Sequence, residues 1–197
     1  MYKLNQSGRS MIEMLGVLAV VGVLSVGGYN IVKNAQQKKD EVQLIADTSQ
    51  LAMISKKLAC QYDAAYSTYT KFLNRSEAIP ANLTYNSTSD QIENDMGSAI
   101  KIAGNDKYFV VSVEKLNEST CMKMATTNWG KRYSNGCLGV SIGATDLNNC
   151  MLSGNCSSTA SAVNSSDETN YPMSTATAAT HCSGNSNTVK IWFKACR

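Results

Sequence analysis

The sequence predicts an α+β protein in which one long N-terminal α-helix packs on a small antiparallel β-sheet head with disulfide-stapled loops. Three observations predict this class. A strongly apolar stretch, residues 11–26, is followed by apolar residues that recur every seven positions, as they do on one face of a helix. Two runs rich in β-branched residues flank Gly104, Asn105 and Asp106, which is the pattern of a hairpin. Seven cysteines in 197 residues indicate disulfides in an oxidising compartment.

The apolar stretch, Met11–Val26, contains a single charged residue, Glu13. A carboxylate near the centre of a membrane helix costs roughly 2.5–3.5 kcal/mol, so an acid at this place usually has a partner. A helix over this stretch is roughly 24 Å long, and extension to Val32 reaches the ~30 Å of a bilayer core. Two other interpretations are a cleaved secretory signal, with a small-x-small site at Ser25–Gly27, and a simple membrane anchor. Glu13 serves no purpose in a segment that is removed, which favours a retained helix.

The next stretch, residues 31–66, shows the pattern of an amphipathic helix. Leu44, Leu51 and Leu58 recur at intervals of seven, whereas residues 33–41 are mostly charged or amide side chains. We expect one continuous helix from the apolar stretch to about the end of this range. Such a helix is ~80 Å long, which exceeds the core of a single domain. It therefore needs a membrane or filament half and a globular half.

Four glycines, Gly16, Gly22, Gly27 and Gly28, fall within the predicted helix. Each costs ~1 kcal/mol relative to Ala in a helix interior, which permits local melting or the close approach of another helix. These glycines interrupt the run of good helix-forming residues, and we expect them to make the helix flexible. Gly27 and Gly28 are the place where a bend would form.

The remaining elements are predicted from local patterns. A polar connector is expected from Ser67 to Asn94, followed by a hairpin of Ser98–Ile102 and Tyr108–Val113. A short helix is expected over Val113–Ala125, and a final strand over Val189–Phe193. Residues 134–187 are rich in Ser, Thr, Asn, Gly and Ala, so that loops stapled by cysteines are expected there, above all in Ser153–Ser166 and Ser174–Thr180.

A motif at the N-terminus carries a resemblance to a known family. Gly8 ends a short polar leader, and Glu13 follows five residues later inside the apolar stretch. This arrangement resembles the class III signal of type IV pilins and related pseudopilins. The resemblance implies that a prepilin peptidase cuts between Gly8 and Arg9 and methylates the new amino group. The chain departs from the family at Arg9, where Phe, Met or Leu is usual.

The resemblance also implies a role for Glu13 and an organisation for the chain. The carboxylate would meet the α-amino group of a neighbouring subunit and set the register of the filament, because misplaced stacking leaves a buried charge that costs ~3–5 kcal/mol. The implied segments are a leader (residues 1–8), a transmembrane and polymerisation helix (residues 9–30), an amphipathic helix half (residues 31–66) and a globular head (residues 67–197).

The head resembles that of type IVb pilins, though less closely. The matching segments are Asn94–Gly97, Tyr108–Val113, Glu118–Met124 and Cys182–Phe193. This likeness implies a disulfide between Cys121 and Cys182 that closes the C-terminal loop region.

The other cysteines leave their pairing open. An odd number of cysteines requires one that is a thiol, that pairs between chains, or that is buried as a small apolar side chain. Cys150 and Cys156 are close enough in sequence to close a small local loop. Cys60 would then join the long helix to the head through either Cys137 or Cys196.

The sequence contains no pattern that indicates an enzyme, a cofactor or a metal. The formal charge of +3 is small and its lysines and arginines are scattered, which gives nucleic-acid binding no support. The single histidine, His181, is interpreted as a surface residue beside a disulfide rather than a metal or thiol-activation site. The cysteine spacing does not match a zinc framework, and Gly-rich phosphate loops and hydrolase motifs are missing. We expect no enzyme, no cofactor and no small-molecule substrate.

The combined expectation is a structural subunit of a type IV pilus. It would form a homopolymer through its N-terminal helix, with the head as the surface for adhesion, aggregation or motility. Its partners would be the inner membrane, the prepilin peptidase and the assembly machinery, and its location the inner membrane as a precursor and then the cell surface. The alternatives are a minor pilin or type II secretion pseudopilin, and a secreted disulfide-rich binding domain whose signal peptide is cleaved near Gly28.

Overall fold

A computed structural model describes residues 9–61, 69–104, 108–130, 136–143, 161–164 and 171–195. These residues form two compact units, which divide between Val42 and Gln43. The first unit is helical up to Val42. The second unit, from Gln43 onward, contains the end of the same helix and the sheet, and it is called the head below.

The long predicted helix is present as α1, Arg9–Gln61. The flexibility expected of Gly16, Gly22, Gly27 and Gly28 stays a prediction, and the backbone is helical at all four. The physical reason is that a glycine costs a helix only ~1 kcal/mol, which is too little by itself to break a long run of hydrogen bonds. The glycines remain sites of lower helix propensity within an unbroken helix.

Within the head, α1 contributes one apolar stripe to the core. Leu44 and Leu51 are completely buried, and Leu58 is half-buried against the same cluster, which confirms the predicted seven-residue repeat. Thr48 lies on this stripe and its hydroxyl donates to the Leu44 carbonyl at 2.7 Å. The carboxylate of Asp47, the residue before Thr48, accepts hydrogen bonds from the side-chain amides of Gln43 and Asn82.

The described strands of the head form one antiparallel sheet with the order β1-β2-β3-β4-β7-β5-β6. The last strand in the chain, β7, lies between β4 and β5, so the chain end occupies the middle of the sheet. The strands are β1 Thr84–Asn86, β2 Gln91–Glu93, β3 Ala99–Gly104, β4 Tyr108–Leu116, β5 Cys137–Ile142, β6 Ala162–Asn164 and β7 Asn187–Lys194.

Alternation along β4 and β7 gives the sheet two apolar faces. Phe109 and Phe193 are opposite each other on one face, where their rings stack at 5.2 Å within the main core. Tyr108 and Trp192 are on the other face, with ring centroids 5.7 Å apart in a smaller buried cluster. The predicted hairpin of β3 and β4 is confirmed, as is its apolar character on both faces.

The structure adds elements to the segment before the hairpin and corrects the start of the helix after it. The stretch predicted as a polar connector, Ser67–Asn94, contains α2, Tyr69–Arg75, and the strands β1 and β2. The predicted helix over Val113–Ala125 begins later, because β4 continues to Leu116 and α3 spans Glu118–Thr126. Asn117 fixes this start, since its side-chain oxygen accepts the backbone N–H of Thr120 at 2.8 Å, as an N-cap does.

The polar region 134–187 also contains more regular structure than expected. It contributes β5 and β6 to the sheet, and Ser174–Thr180, expected as a loop, is mostly helix α4, Thr175–His181. Ser174 is the N-cap and accepts the Thr177 N–H at 3.1 Å. Three alanines in this segment favour the helix once the cap is in place.

Candidate functional site

The predicted assembly segment lies in the first half of α1. Gly8 lies outside the described residues, whereas Arg9 and Glu13 belong to the helix but their side chains lie outside that description. Side chains in this half are described at positions 14, 15, 18, 19 and from 31 onward.

Large apolar side chains in this first unit are open to solvent. Met14 is 69% exposed and Leu18 is 65% exposed, and Leu15, Ile31 and Val32 are similarly open. Large apolar side chains exposed close together, as at positions 14, 15 and 18, are typical of an interaction site. Over the side chains that the structure describes, no helical stretch is long and apolar enough to cross a membrane.

The head carries the disulfide that the resemblance implied. Cys121 on α3 and Cys182 at the end of α4 are joined, with an S–S distance of 1.96 Å and a Cα–Cα distance of 5.8 Å. Both cysteines are buried in the main core. The bond therefore fixes α4 against α3 and encloses the chain between them, including β5 and β6.

Asn187 secures the chain that leaves the disulfide. Its side-chain oxygen accepts the Ser183 N–H at 2.9 Å, and its amide group donates to the Gly184 and Leu116 carbonyls at 3.1 Å each. The last of these bonds connects the start of β7 to the end of β4, 71 residues earlier. The buried Asn187 side chain thus satisfies backbone groups of the exposed turn before β7 and of the end of β4.

A buried polar cluster lies where α3 leads toward β5. The Tyr171 hydroxyl accepts the Trp129 backbone N–H, donates to the Gly130 carbonyl, both at 3.0 Å, and lies 3.5 Å from the Cys137 sulfur. The Trp129 indole N–H donates to the Met124 carbonyl at 3.0 Å. This network joins the loop after α3 to β5 and to the segment before α4.

Cys137 begins β5 and is completely buried, and its predicted pairing with Cys60 or Cys196 stays a prediction because the side chains of both possible partners lie outside the described residues. Burial raises its pKa to about 11, although the hydrogen bond with Tyr171 acts in the opposite direction. Burial also raises the pKa of the Tyr171 hydroxyl. Both groups therefore stay neutral near pH 7, and the cluster is structural in character rather than nucleophilic.

The remaining cysteine expectations fall outside the described side chains. Cys60 is in α1, but its side chain is not described, and Cys150, Cys156 and Cys196 lie outside the described residues.

The grooves on the head surface within the described ranges include two of similar size. One, of about 320 Å³, brings together Glu114, His181 and Lys190 beside the Asn187 turn. The other, of about 310 Å³, is lined by Lys56 of α1 together with Trp129 and Phe193. The first groove is open and offers opposite charges side by side, and the second offers aromatic surface next to one cation.

The described side chains contain no group of three or more His, Cys, Asp or Glu residues arranged to hold a metal ion. His181 lines the first groove at the end of α4, next to the disulfide, as the sequence predicted for a surface residue. Sequence reasoning missed the roles of Tyr171, Trp129 and Asn187. Only Asn187 had a signal, because it lies five residues after Cys182 and two residues before a predicted strand.

No protein-family model matches the chain, and no curated protein sequence is significantly similar to it.

Proposed function

We propose that the chain is a subunit of a type IV pilus-like filament that is anchored in the bacterial inner membrane before assembly. One observation carries the proposal. A single helix, Arg9–Gln61, begins with an apolar segment whose one charged residue is Glu13, and its last third buries Leu44 and Leu51 in a disulfide-bonded α+β head. This combination gives one element two roles, assembly at one end and attachment of the head at the other.

The exposed apolar side chains of the first unit support the proposal. Burial of a Leu or Met side chain contributes about 1.5–3 kcal/mol, so the three exposed at Met14, Leu15 and Leu18 leave several kcal/mol unused in an isolated chain. A bilayer covers such residues in the precursor, and the helices of neighbouring subunits cover them in the filament. The same surface thus serves both states.

Glu13 supplies the register in this proposal. After cleavage between Gly8 and Arg9, the α-amino group of one subunit meets the Glu13 carboxylate of its neighbour inside an apolar bundle. A subunit that docks one step out of place leaves both charges unpaired, which costs ~3–5 kcal/mol. Apolar side chains alone allow many helix registers, whereas one buried pair selects a single one.

The head forms the outside of the filament. The Cys121–Cys182 disulfide joins the two ends of a stretch rich in Ser and Thr, and Asn187 ties the start of β7 to the end of β4. Adhesion, aggregation and motility all act through this surface, and the prepilin peptidase and the assembly machinery act on the other end of the molecule.

The first test is the intact mass and N-terminal sequence of the protein in sheared cell-surface material. A chain that begins at Arg9, with or without one methyl group, and that is found in the filament fraction supports the proposal. A chain that begins near Gly28 and is free in the medium overturns it in favour of a secreted binding domain.

The second test replaces Glu13. The Glu13→Gln variant keeps the shape but removes the charge, and we expect normal amounts in the membrane with loss of filaments. The matched control, Asp95→Asn, removes an exposed acid of the head and should leave filaments unchanged. Filaments of normal amount in Glu13→Gln would contradict the role of the buried pair.

A further inference from the structure

We infer that three lysines just beyond the apolar segment of α1 bind anionic phospholipid headgroups and set the depth of the precursor in the membrane. This inference rests on the membrane-anchored subunit proposed above. Lys33, Lys38 and Lys39 are all exposed in the first unit. They are called the lysine ring below.

The position of the lysine ring along the helix matches a bilayer surface. The segment Met11–Val32 is about 33 Å long as a helix, close to the ~30 Å of a hydrocarbon core. Ile31 and Val32 are 72% and 62% exposed, and Lys33 follows them directly. A helix that spans the core with this segment therefore places the lysine ring in or just above the headgroup layer.

The angular spacing of the lysine ring distinguishes a helix that crosses the headgroup layer from one that lies in it. At about 100° per residue, Lys38 lies roughly 140° and Lys39 roughly 240° around the axis from Lys33. The three ammonium groups thus surround the helix within about 9 Å of axial rise. An in-plane amphipathic helix would carry its lysines on one polar face. The ring fits a helix that meets headgroups on every side.

The direction of the side chains and the order of the charges favour the same contact. Helical side chains tilt toward the N-terminus, so the long stems of Lys38 and Lys39 point back toward the apolar segment. The acids Asp40 and Glu41 come after the lysines, on the head side, and are half-buried and buried. The cations therefore face the membrane first, with the acids behind them.

The strength of the contact follows from the charge. Each lysine near an anionic surface raises affinity about fivefold, so the lysine ring raises it roughly a hundredfold at low salt. Salt weakens this attraction, because the ring is exposed. A subunit that leaves such a membrane for the filament gives up these contacts, which makes its extraction depend on the anionic lipid content.

The experiment uses the full chain in nonionic detergent with equimolar phosphatidylglycerol and phosphatidylcholine of identical acyl chains. Native mass spectrometry counts the molecules of each lipid bound. We expect the natural chain to prefer phosphatidylglycerol by at least about tenfold and to lose the preference as salt rises. The variant Lys33→Gln, Lys38→Gln, Lys39→Gln should bind both lipids nearly equally.

A matched control removes the same charge from the head, through Lys57→Gln, Lys71→Gln and Lys101→Gln, three exposed lysines. It should keep the natural preference. Equal binding of the two lipids by the natural chain, or an equal loss in both variants, overturns the inference. The intact mass in the same spectrum separates the two proposals: a chain that retains residues 9–28 but shows no preference overturns only the lipid contact. A chain that begins near Gly28 overturns both.

Discussion

The Thr70 hydroxyl offers a test of how α2 is attached to the sheet. It donates to the Ile102 carbonyl at 3.2 Å and accepts the Ile102 N–H at 3.0 Å, and Thr70 is only 1% exposed. The neighbouring strand β2 pairs with β3 only as far as Ile100, so no described strand pairs with the Ile102 backbone on that side. One side chain of α2 therefore satisfies both groups of a strand residue.

The matched pair of variants is Thr70→Val, which keeps the volume and removes the hydroxyl, and Thr70→Ser, which keeps the hydroxyl and removes a methyl group. Two lost hydrogen bonds, with a buried N–H and C=O left unsatisfied, should lower the free energy of unfolding by about 2–4 kcal/mol in Thr70→Val. The lost methyl group of Thr70→Ser should cost only about 1 kcal/mol.

The assay is urea unfolding of the natural chain and both variants, followed by tryptophan fluorescence. Both tryptophans of the chain, Trp129 and Trp192, are buried in the head, so the signal reports unfolding of the unit that contains the contact. We expect Thr70→Val to unfold at clearly lower urea than Thr70→Ser, with similar slopes. Equal stability of the two variants would refute the claim that the hydroxyl anchors α2.

Three further predictions concern the head. Cys121 and Cys182 are 61 residues apart, and for this separation the chain-entropy model predicts that the disulfide stabilises the head by about 4 kcal/mol. In urea unfolding, the double Ala variant should therefore lose about this much free energy of unfolding. A loss under about 1 kcal/mol would contradict this prediction. The Cys137 thiol has a pKa of about 11 in the folded chain against an ordinary 9.0, so the unfolded chain releases this proton at lower pH. The contribution of this thiol to the free energy of unfolding should therefore be constant below pH 9 and fall by about 2–3 kcal/mol from pH 9 to pH 11. The Cys137→Ala variant should lack this decline. The Ser55 hydroxyl is buried and makes no hydrogen bond among the described residues, so Ser55→Ala should raise the free energy of unfolding by about 1 kcal/mol. The control, Thr48→Ala, removes a hydroxyl that is hydrogen-bonded to the Leu44 carbonyl and should lower it. A destabilised Ser55→Ala variant would show that the hydroxyl has a partner.

The elements that the sequence predicted well are those stabilised by nearby residues. The long helix shows its period over many turns, and β3 and β4 pair across a short connection. The early end expected for β4 was wrong by three residues, because the Asn117 cap and not the residue composition decides where α3 begins. Patterns that repeat along the chain thus predict the type of an element better than its ends.

The elements that the sequence missed depend on distant partners. α2 has seven residues and is attached through Thr70 to a strand residue 32 positions away. β1 and β2 have three residues each, and only Ile92 of β2 is completely buried. Such elements are too short to form alone in water, and no local pattern identifies their partners. These three elements form only when the fold brings them into contact with partners that are distant in the sequence.

The enclosed polar region of the head shows why composition was a poor guide there. A segment poor in apolar residues gains little from burial, so loops were the expected result. The head instead holds this segment through a few long-range connections: the Cys121–Cys182 bond, the Asn187 amide across 71 residues and the Tyr171 hydroxyl across 42. Because these connections lie at buried points, most exposed side chains between them contribute little to stability. We therefore expect a head built in this way to tolerate substitutions at its exposed positions without unfolding.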